Sequence, residues 1–266
     1  MTAADPRPVD GYARAPVVSA SSPAVVSAFR LLDLLIERPN GARLSDLARE
    51  LGLPKSSALR ILGTMCQIGV VRRDETTGNY QSGTRLLDYA KAPLNSEMDL
   101  VREFYRVAEP MHAEFNETVQ LAVLSATDVM FIARIDSTKV VRLVTQIGRR
   151  LPAHATAVGK AILAFSEPAD VDRIIAAGLP RLTASTITDS AAFRAELDRA
   201  RQNGYATESE ESSPNLSCLS APVFGPDGAV RAGMTVCVPV SRLTPEQSAP
   251  LAQAVRSCAQ ALSGVL

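Results

Sequence analysis

LSDLARELGLPKSSALRILGTMCQ, residues 44–67, carries two apolar stripes at helical spacing with a tight break between them. Leu44, Leu47, Ala48 and Leu51 recur at intervals of three and four, which places them on one face of a short helix. Ser45 reads as its cap, and Gly52-Leu53-Pro54 ends it, since proline cannot continue a helix and glycine turns the chain freely. From Lys55 a second stripe begins, with Ala58, Ile61, Leu62 and Met65 at the spacing that must face a core. Two helices so joined make a helix-turn-helix. The outer face of the second helix is centred on Ser56, Arg60 and Gly63 and flanked by Ser57, Leu59 and Thr64, with Lys55 on its first turn. No acid occurs from Lys55 to Gln67, whereas a face that merely meets water usually mixes Glu with Lys. Arginine and lysine suit guanine edges and phosphate, and serine and threonine suit phosphate oxygens.

The neighbouring residues extend this reading in both directions. Upstream, Ala28, Leu31, Leu32, Leu35 and Ile36 predict a helix over 24–38 that Pro39-Asn40-Gly41 stops. Downstream, Val70-Val71-Arg72-Arg73 and Asn79-Tyr80-Gln81-Ser82 flank a Gly-containing turn, which predicts a β-hairpin. Three helices and a hairpin form the winged version of the motif. Arg72 and Arg73 are candidates for DNA backbone contact, the alternative being ion pairs with Asp74 or Glu75. Residues 24–92 hold ten basic and seven acidic side chains, against sixteen and nineteen in residues 93–266. A basic module on an acidic body suits a DNA reader with a separate regulatory domain, although the whole chain has a net charge of zero.

Beyond residue 98 the pattern becomes mixed. A long helix with Val101, Phe104, Tyr105, Ala108, Met111 and Phe115 on one face is predicted, with Pro110 kinking or restarting it. Strands are predicted over 119–124, 129–135, 140–146, 219–224 and 230–238, the last two around Gly225-Pro226-Asp227-Gly228. Helices are predicted over 156–165, 169–177, 191–203 and 244–262. The fold class is therefore α+β, a winged helix-turn-helix followed by a largely antiparallel sheet flanked by helices. The expected divisions are a disordered tail over 1–23, the DNA-binding domain over 24–84, a linker helix region over 85–98 and an effector domain over 99–266. The four cysteines, Cys66, Cys218, Cys237 and Cys258, are too scattered for a disulfide framework or a zinc finger. With no apolar run long enough to span a bilayer, a cytoplasmic protein without membrane partner or cofactor is expected.

LSDLARELGLPKSSALRIL, RRDETTGNYQSG, GRRLPAHATAVGKAILAF, GYATESEESSPNLSCLSAPVFGPDG and SRLTPE together resemble the IclR family of bacterial transcriptional regulators, in order and with family-like spacing over residues 24–262. The resemblance implies a GAF-like effector domain. It also implies a homodimer or dimer of dimers on double-stranded DNA at a near-palindromic operator, and a small-molecule effector, with an organic acid, aromatic or short-chain, that reports on a catabolic operon as the expectation. Repressor and activator remain equal expectations. The family's reading helix falls on Lys55 to Met65, so Ser45, Lys55, Ser56, Ser57, Arg60, Thr64, Arg72 and Arg73 are the DNA-binding candidates. Its effector pocket falls on Val140, Leu143, Leu151, His154, Ala157, Val158, Glu208, Cys218, Thr235 and Cys237. Thr156 to Gly159 would offer free backbone N–H groups to an anion. Glu208 and Cys237 depart from the Asp and Ser common at these positions. For the two cysteines simple core packing is the alternative. Arg149 and Arg150 stand open between attracting an acid and meeting solvent.

Three other readings of the same residues exist. Cys218, His154 and Glu208 could be drawn as nucleophile, base and orienting acid of an enzyme, without any spacing that requires it. His154, Cys218, Cys237 and Glu208 could ligate zinc, again without a signature. A DNA-binding architectural protein would need no ligand at all.

Overall fold

The computed structural model describes residues 22–91, 95–143 and 146–265. The expected tail over 1–23 falls almost wholly outside them. The chain divides between Asn95 and Ser96 into two compact units.

The first unit holds α1 (Pro23–Ile36), α2 (Leu44–Glu50), α3 (Lys55–Gln67), the hairpin of β1 (Val71–Arg73) and β2 (Tyr80–Ser82), and α4 (Arg85–Lys91). Leu31 and Leu35 of α1, Leu47 of α2, Leu62 and Met65 of α3, and Val70, Val71 and Tyr80 close one core. The stripes that the spacing requires to face inward thus meet each other, except that Ile36, at the end of α1, is exposed. Gly52 takes a φ of +64°, the left-handed conformation that lets the chain leave α2 and enter α3 so tightly. Ser45 does not cap α2. Arg43 holds that position without a side-chain bond, and Ser45 lies inside the first turn.

The second unit holds α5 (Asn95–Phe115), β3 (Thr118–Ser125), β4 (Asp128–Ile135), β5 (Arg150–Pro152), α6 (Ala157–Leu163), α7 (Pro168–Ala177), α8 (Ser190–Asn203), β6 (Ala206–Ser209), β7 (Leu216–Phe224), β8 (Val230–Pro239) and α9 (Pro245–Ser263). Pro110 lies within α5, which is one continuous helix. The strands form an antiparallel sheet in the order β5-β4-β3-β8-β7-β6.

Strand alternation sends the two faces of the sheet to two cores. Val119, Leu121, Leu219, Ala221, Met234 and Val236 pack with Phe104 and Met111 of α5 and Val255 and Leu262 of α9. Ala122, Val129 and Phe131 pack with Val158 and Ile162 of α6, Ile174 of α7 and Phe193 of α8. A register shift between Leu121 and Ala122 sends Phe131 to the second face and Ala133 to the first.

Helix α6 lies unusually close to the sheet. A Cβ on Gly233 of β8 would come within 2.6 Å of Val158 Cγ2, so only glycine admits the helix at this distance.

Two expectations need correction here. Residues 140–143 and 146 form no strand; 144 and 145 lie outside the described residues. Polar side chains hold this stretch as a loop. Asn116 Oδ1 accepts from Thr138 N, Lys139 Nζ donates to Glu117, and Arg242 donates to both Glu117 and the Val141 carbonyl. The edge of the sheet is β5 instead, and β6, which carries Glu208, was not expected as a strand.

Candidate functional site

On α3 the outward residues stand as the spacing requires. Lys55, Ser56, Arg60 and Thr64 are exposed, Ser57 is half-buried, and Ala58 and Leu62 are fully buried behind them. Lys55 and Arg60 enter no ion pair among the described residues, so both charges are available. Thr64 Oγ1 donates to the Arg60 carbonyl at 3.1 Å. A Cβ on Gly63 would meet nothing within 4 Å. The fold therefore has no need of a glycine there.

In the wing, Arg72 and Arg73 are exposed. Neither pairs with Asp74 or Glu75. Asp74 Oδ1 accepts from the N–H groups of Thr76 and Thr77 at 2.9 and 2.7 Å and closes its own turn. These bonds, above all that from Thr77, hold its carboxyl below the usual carboxylate range. Arg73 lies over the Tyr80 ring, 5.7 Å from its centre. Ser45 on α2 is half-buried.

The second unit holds a partly open cavity of about 60 Å³ between the α6 side of the sheet and the loops above it. Its floor follows from strand register. Glu208, Cys218 and Cys237 form one cross-strand row with Thr118, and Ser220, Thr235 and Gln120 form the next. Leu143, Leu151, Ala157, Val158, Glu208, Cys218, Thr235 and Cys237, all expected at a pocket, line it together.

Two expected pocket residues do not. Val140 is 96% exposed, because the loop it belongs to turns away from the sheet. His154 is buried, but its Nε2 faces the Pro180 carbonyl at 3.0 Å, so that nitrogen carries the hydrogen and donates outward from the cavity. Burial pulls the His154 imidazole below its ordinary value. With His154 so turned, neither the catalytic triad nor the zinc set converges. Among the described residues no group of three or more His, Cys, Asp and Glu is placed to hold a metal.

Gln120, Arg149 and Ser212 also line the cavity and were not among the expected residues, although Arg149 was weighed as an acid-attracting charge. Gln120 is fully buried and its Nε2 has no hydrogen-bond partner among the described residues. The available signal was one amide in the otherwise apolar run VQLAVL of β3. Burying an amide donor without an acceptor costs roughly 1–3 kcal/mol, which a ligand oxygen would offset. At the α6 terminus Thr156 Oγ1 already accepts from Gly159 N at 3.0 Å. That leaves the Ala157 and Val158 N–H groups of the four expected donors.

The Glu208 carboxylate accepts from Glu211 N at 2.9 Å and from Ser212 Oγ at 3.1 Å. Burial nevertheless pushes its carboxyl up, outweighing these bonds. Beside it, fully buried Lys160 Nζ lies 2.7 Å from Glu211 and 3.3 Å from Glu196. Burial also raises Glu211, against the pull of Lys160. For Glu196 burial acts upward too, but Lys160 and Arg199 together outweigh it and hold that carboxyl low. Arg149 adds a cation to the cavity wall.

Comparison with known proteins agrees over both units. Residues 24–75 match the IclR helix-turn-helix domain, and residues 94–264 match the family described as bacterial transcriptional regulator IclR C-terminal. The chain is 30% identical over 237 residues to the HTH-type transcriptional regulator BhcR of Paracoccus denitrificans, covering 88% of this chain and 85% of that protein. It is 29% identical over 257 residues to the HTH-type transcriptional repressor AllR of Klebsiella pneumoniae, covering 94% and 92%. Among solved structures, an IclR homolog from Microbacterium hydrocarbonoxydans complexed with 4-hydroxybenzoate superposes with a TM-score of 0.81 at 25% identity, over 91% of this chain and 98% of that one.

Proposed function

The chain belongs to the IclR family of bacterial transcriptional regulators, and on that premise we propose that it controls transcription in response to a small organic acid held in the cavity of its second unit. It is a DNA-binding regulator of the helix-turn-helix type and not an enzyme. No helix among the described residues is long and apolar enough to cross a membrane.

One observation carries the ligand reading. Gln120 Nε2 is a buried donor without an acceptor among the described residues, in the wall of a cavity that Arg149 also lines. A carboxylate or carbonyl oxygen satisfies the amide, and the guanidinium balances the charge of an acid. Size narrows the class. At about 60 Å³ the space is well below the roughly 150 Å³ that takes benzene, which favours a short-chain acid over an aromatic one. An acid of this kind fits control of a catabolic operon, whose substrate or product reports on supply.

DNA is read by Lys55, Ser56, Ser57, Arg60 and Thr64 of α3, with Ser45 beside them and Arg72 and Arg73 on the flanking phosphates. Support comes from their exposure and from the unpaired charges of Lys55 and Arg60. A near-palindromic operator and a homodimer or dimer of dimers complete the reading. Ligand alters DNA affinity only by as much as it prefers one arrangement of the protein to another.

The test is a thermal-shift screen with short-chain organic acids and 4-hydroxybenzoate, followed by operator binding with and without each hit. A ligand at a hundred times its Kd should stabilise the fold by about 2.7 kcal/mol. If a tightly bound acid leaves both operator affinity and transcription unchanged, the cavity is not regulatory.

A further inference from the structure

Cys218 and Cys237 are direct partners across the β7–β8 ladder, and their Sγ atoms stand 2.9 Å apart. Both are buried in the fold, yet both line the cavity, so a molecule that enters it meets the two sulfurs at once. The cysteines remain as thiols. Simple core packing accounts for burial but not for a cross-strand pair at the wall of a ligand space. Antiparallel partners hold their Cβ atoms roughly 4.5–5.5 Å apart, against roughly 3.5–4.5 Å in a disulfide, so closing the bond takes rotation about χ1 together with a small approach of the two strands.

Their neighbours differ. Cys218 is also the direct strand partner of buried Glu208. Cys237 Sγ lies 3.6 Å from Gln120 Oε1 and 3.9 Å from Thr235 Oγ1. One thiol of the pair therefore has a carboxylate to take its proton, and the other has only neutral oxygens.

We propose that Cys218 and Cys237 are a modification site, joined reversibly as a disulfide when hydrogen peroxide enters the cavity. Cys218 passes its proton to Glu208 as its sulfur attacks one peroxide oxygen. The O–O bond breaks, and the departing hydroxide takes that proton and leaves as water. Cys218 is then a sulfenic acid. Cys237 Sγ attacks the sulfenic sulfur, the S–O bond breaks, and the second hydroxide leaves as water with the Cys237 proton. Two thiols have lost two electrons, and the peroxide has gained them. Burial pushes the Cys218 thiol well above its ordinary value, so little thiolate exists beforehand. The first step is accordingly slow without Glu208, and the second is fast because its partner is already in place.

The bond itself does not depend on which acid the cavity binds. Its consequence for regulation, the loss of two thiols from the ligand wall, rests on the reading of the cavity as an effector site.

The experiment uses the full-length chain. Hydrogen peroxide is added until half of the thiol is consumed. The protein is then unfolded in iodoacetamide and digested with trypsin, which cuts after Arg231 and separates the two cysteines. Non-reducing mass mapping is expected to find the Cys218 peptide linked to the Cys237 peptide, with the link removed by dithiothreitol. Cys66 and Cys258 are expected to carry the alkyl label. Recovery of Cys218 and Cys237 as alkylated thiols, or as separate sulfinic acids, while other cysteines are consumed overturns the proposal. The thermal-shift screen on reduced protein tests the effector reading separately, so failure of one is distinguishable from failure of the other.

Discussion

Glu208 of β6 stands directly opposite Cys218 of β7, and its buried carboxylate is held by the Glu211 N–H at 2.9 Å. The pair places an acid in the wall of the cavity with no cation in direct contact among the described residues. Lys160, the nearby buried cation, is engaged by Glu211 and Glu196 instead.

That placement sets a pH dependence. Burial raises Glu208 above its ordinary 4.5, so above that pH the unfolded chain has released a proton that the folded chain still holds. Stability then falls as pH rises from about 4.5 to the folded value. Glu208→Gln should remove this contribution and leave that of Glu211, giving a flatter plot of urea midpoint against pH. An unchanged slope would mean that the carboxyl is ionised in the fold as it is in water.

Lys160 is fully buried between two carboxylates. Lys160→Met strands both, and loss of one member of a buried pair typically costs about 3–5 kcal/mol. Adding Glu211→Gln should recover part of the loss, because one stranded charge is then gone. Denaturant unfolding of the single and double variants measures this, and equal stability of the two excludes the coupling.

At Gly233 the added methyl of Gly233→Ala would meet Val158 and Ile162 of α6. Overpacking of this kind costs on the order of 1–3 kcal/mol. It also pushes the start of α6, and with it Ala157 and Val158, away from the sheet. Lower thermal stability with a changed ligand response is expected. Wild-type behaviour in both would show that α6 has room to spare.

Gly63 is the opposite case. A methyl there meets open space, and alanine is about 1 kcal/mol better than glycine inside a helix. Gly63→Ala should therefore stabilise the first unit while weakening operator binding, since the position needs its bareness only when a duplex lies against it. A variant that is more stable and binds DNA equally well would show that no backbone approach occurs.

Arg60 is exposed and outside any ion pair among the described residues. Arg60→Ala should cost about 1–3 kcal/mol of operator affinity and relax preference at one base position if it reads a base edge. A uniform loss across sequences, with a smaller salt dependence, would move its contact to phosphate. No loss at all would remove it from the interface.

The helix-turn-helix was legible in the sequence because its information is local. The stripe at Ala58, Leu62 and Met65 fixes which side of α3 is buried, and the acid-free face follows at once. Gln120 and Lys160 left only faint marks, a single polar residue in an apolar strand and in an apolar helix. The stretch 140–146 misled, since its β-branched residues have strand periodicity but their polar neighbours bind Asn116, Glu117 and Arg242, far off in the chain. His154 was placed at the pocket by its position in a motif, whereas its ring turns to a carbonyl 26 residues later.

By itself the sequence determined the two-part plan, which face of α3 is exposed, and most of the residues that meet around the cavity. Helical and strand periods are properties of neighbouring residues, and a face that must be buried excludes the other from the core. Only the tertiary structure decided which polar groups find partners: the free amide of Gln120, the ionic neighbours of Lys160, and the two sulfurs at 2.9 Å. Pairing inside a core depends on strand order and register, which bring together residues that the chain keeps far apart.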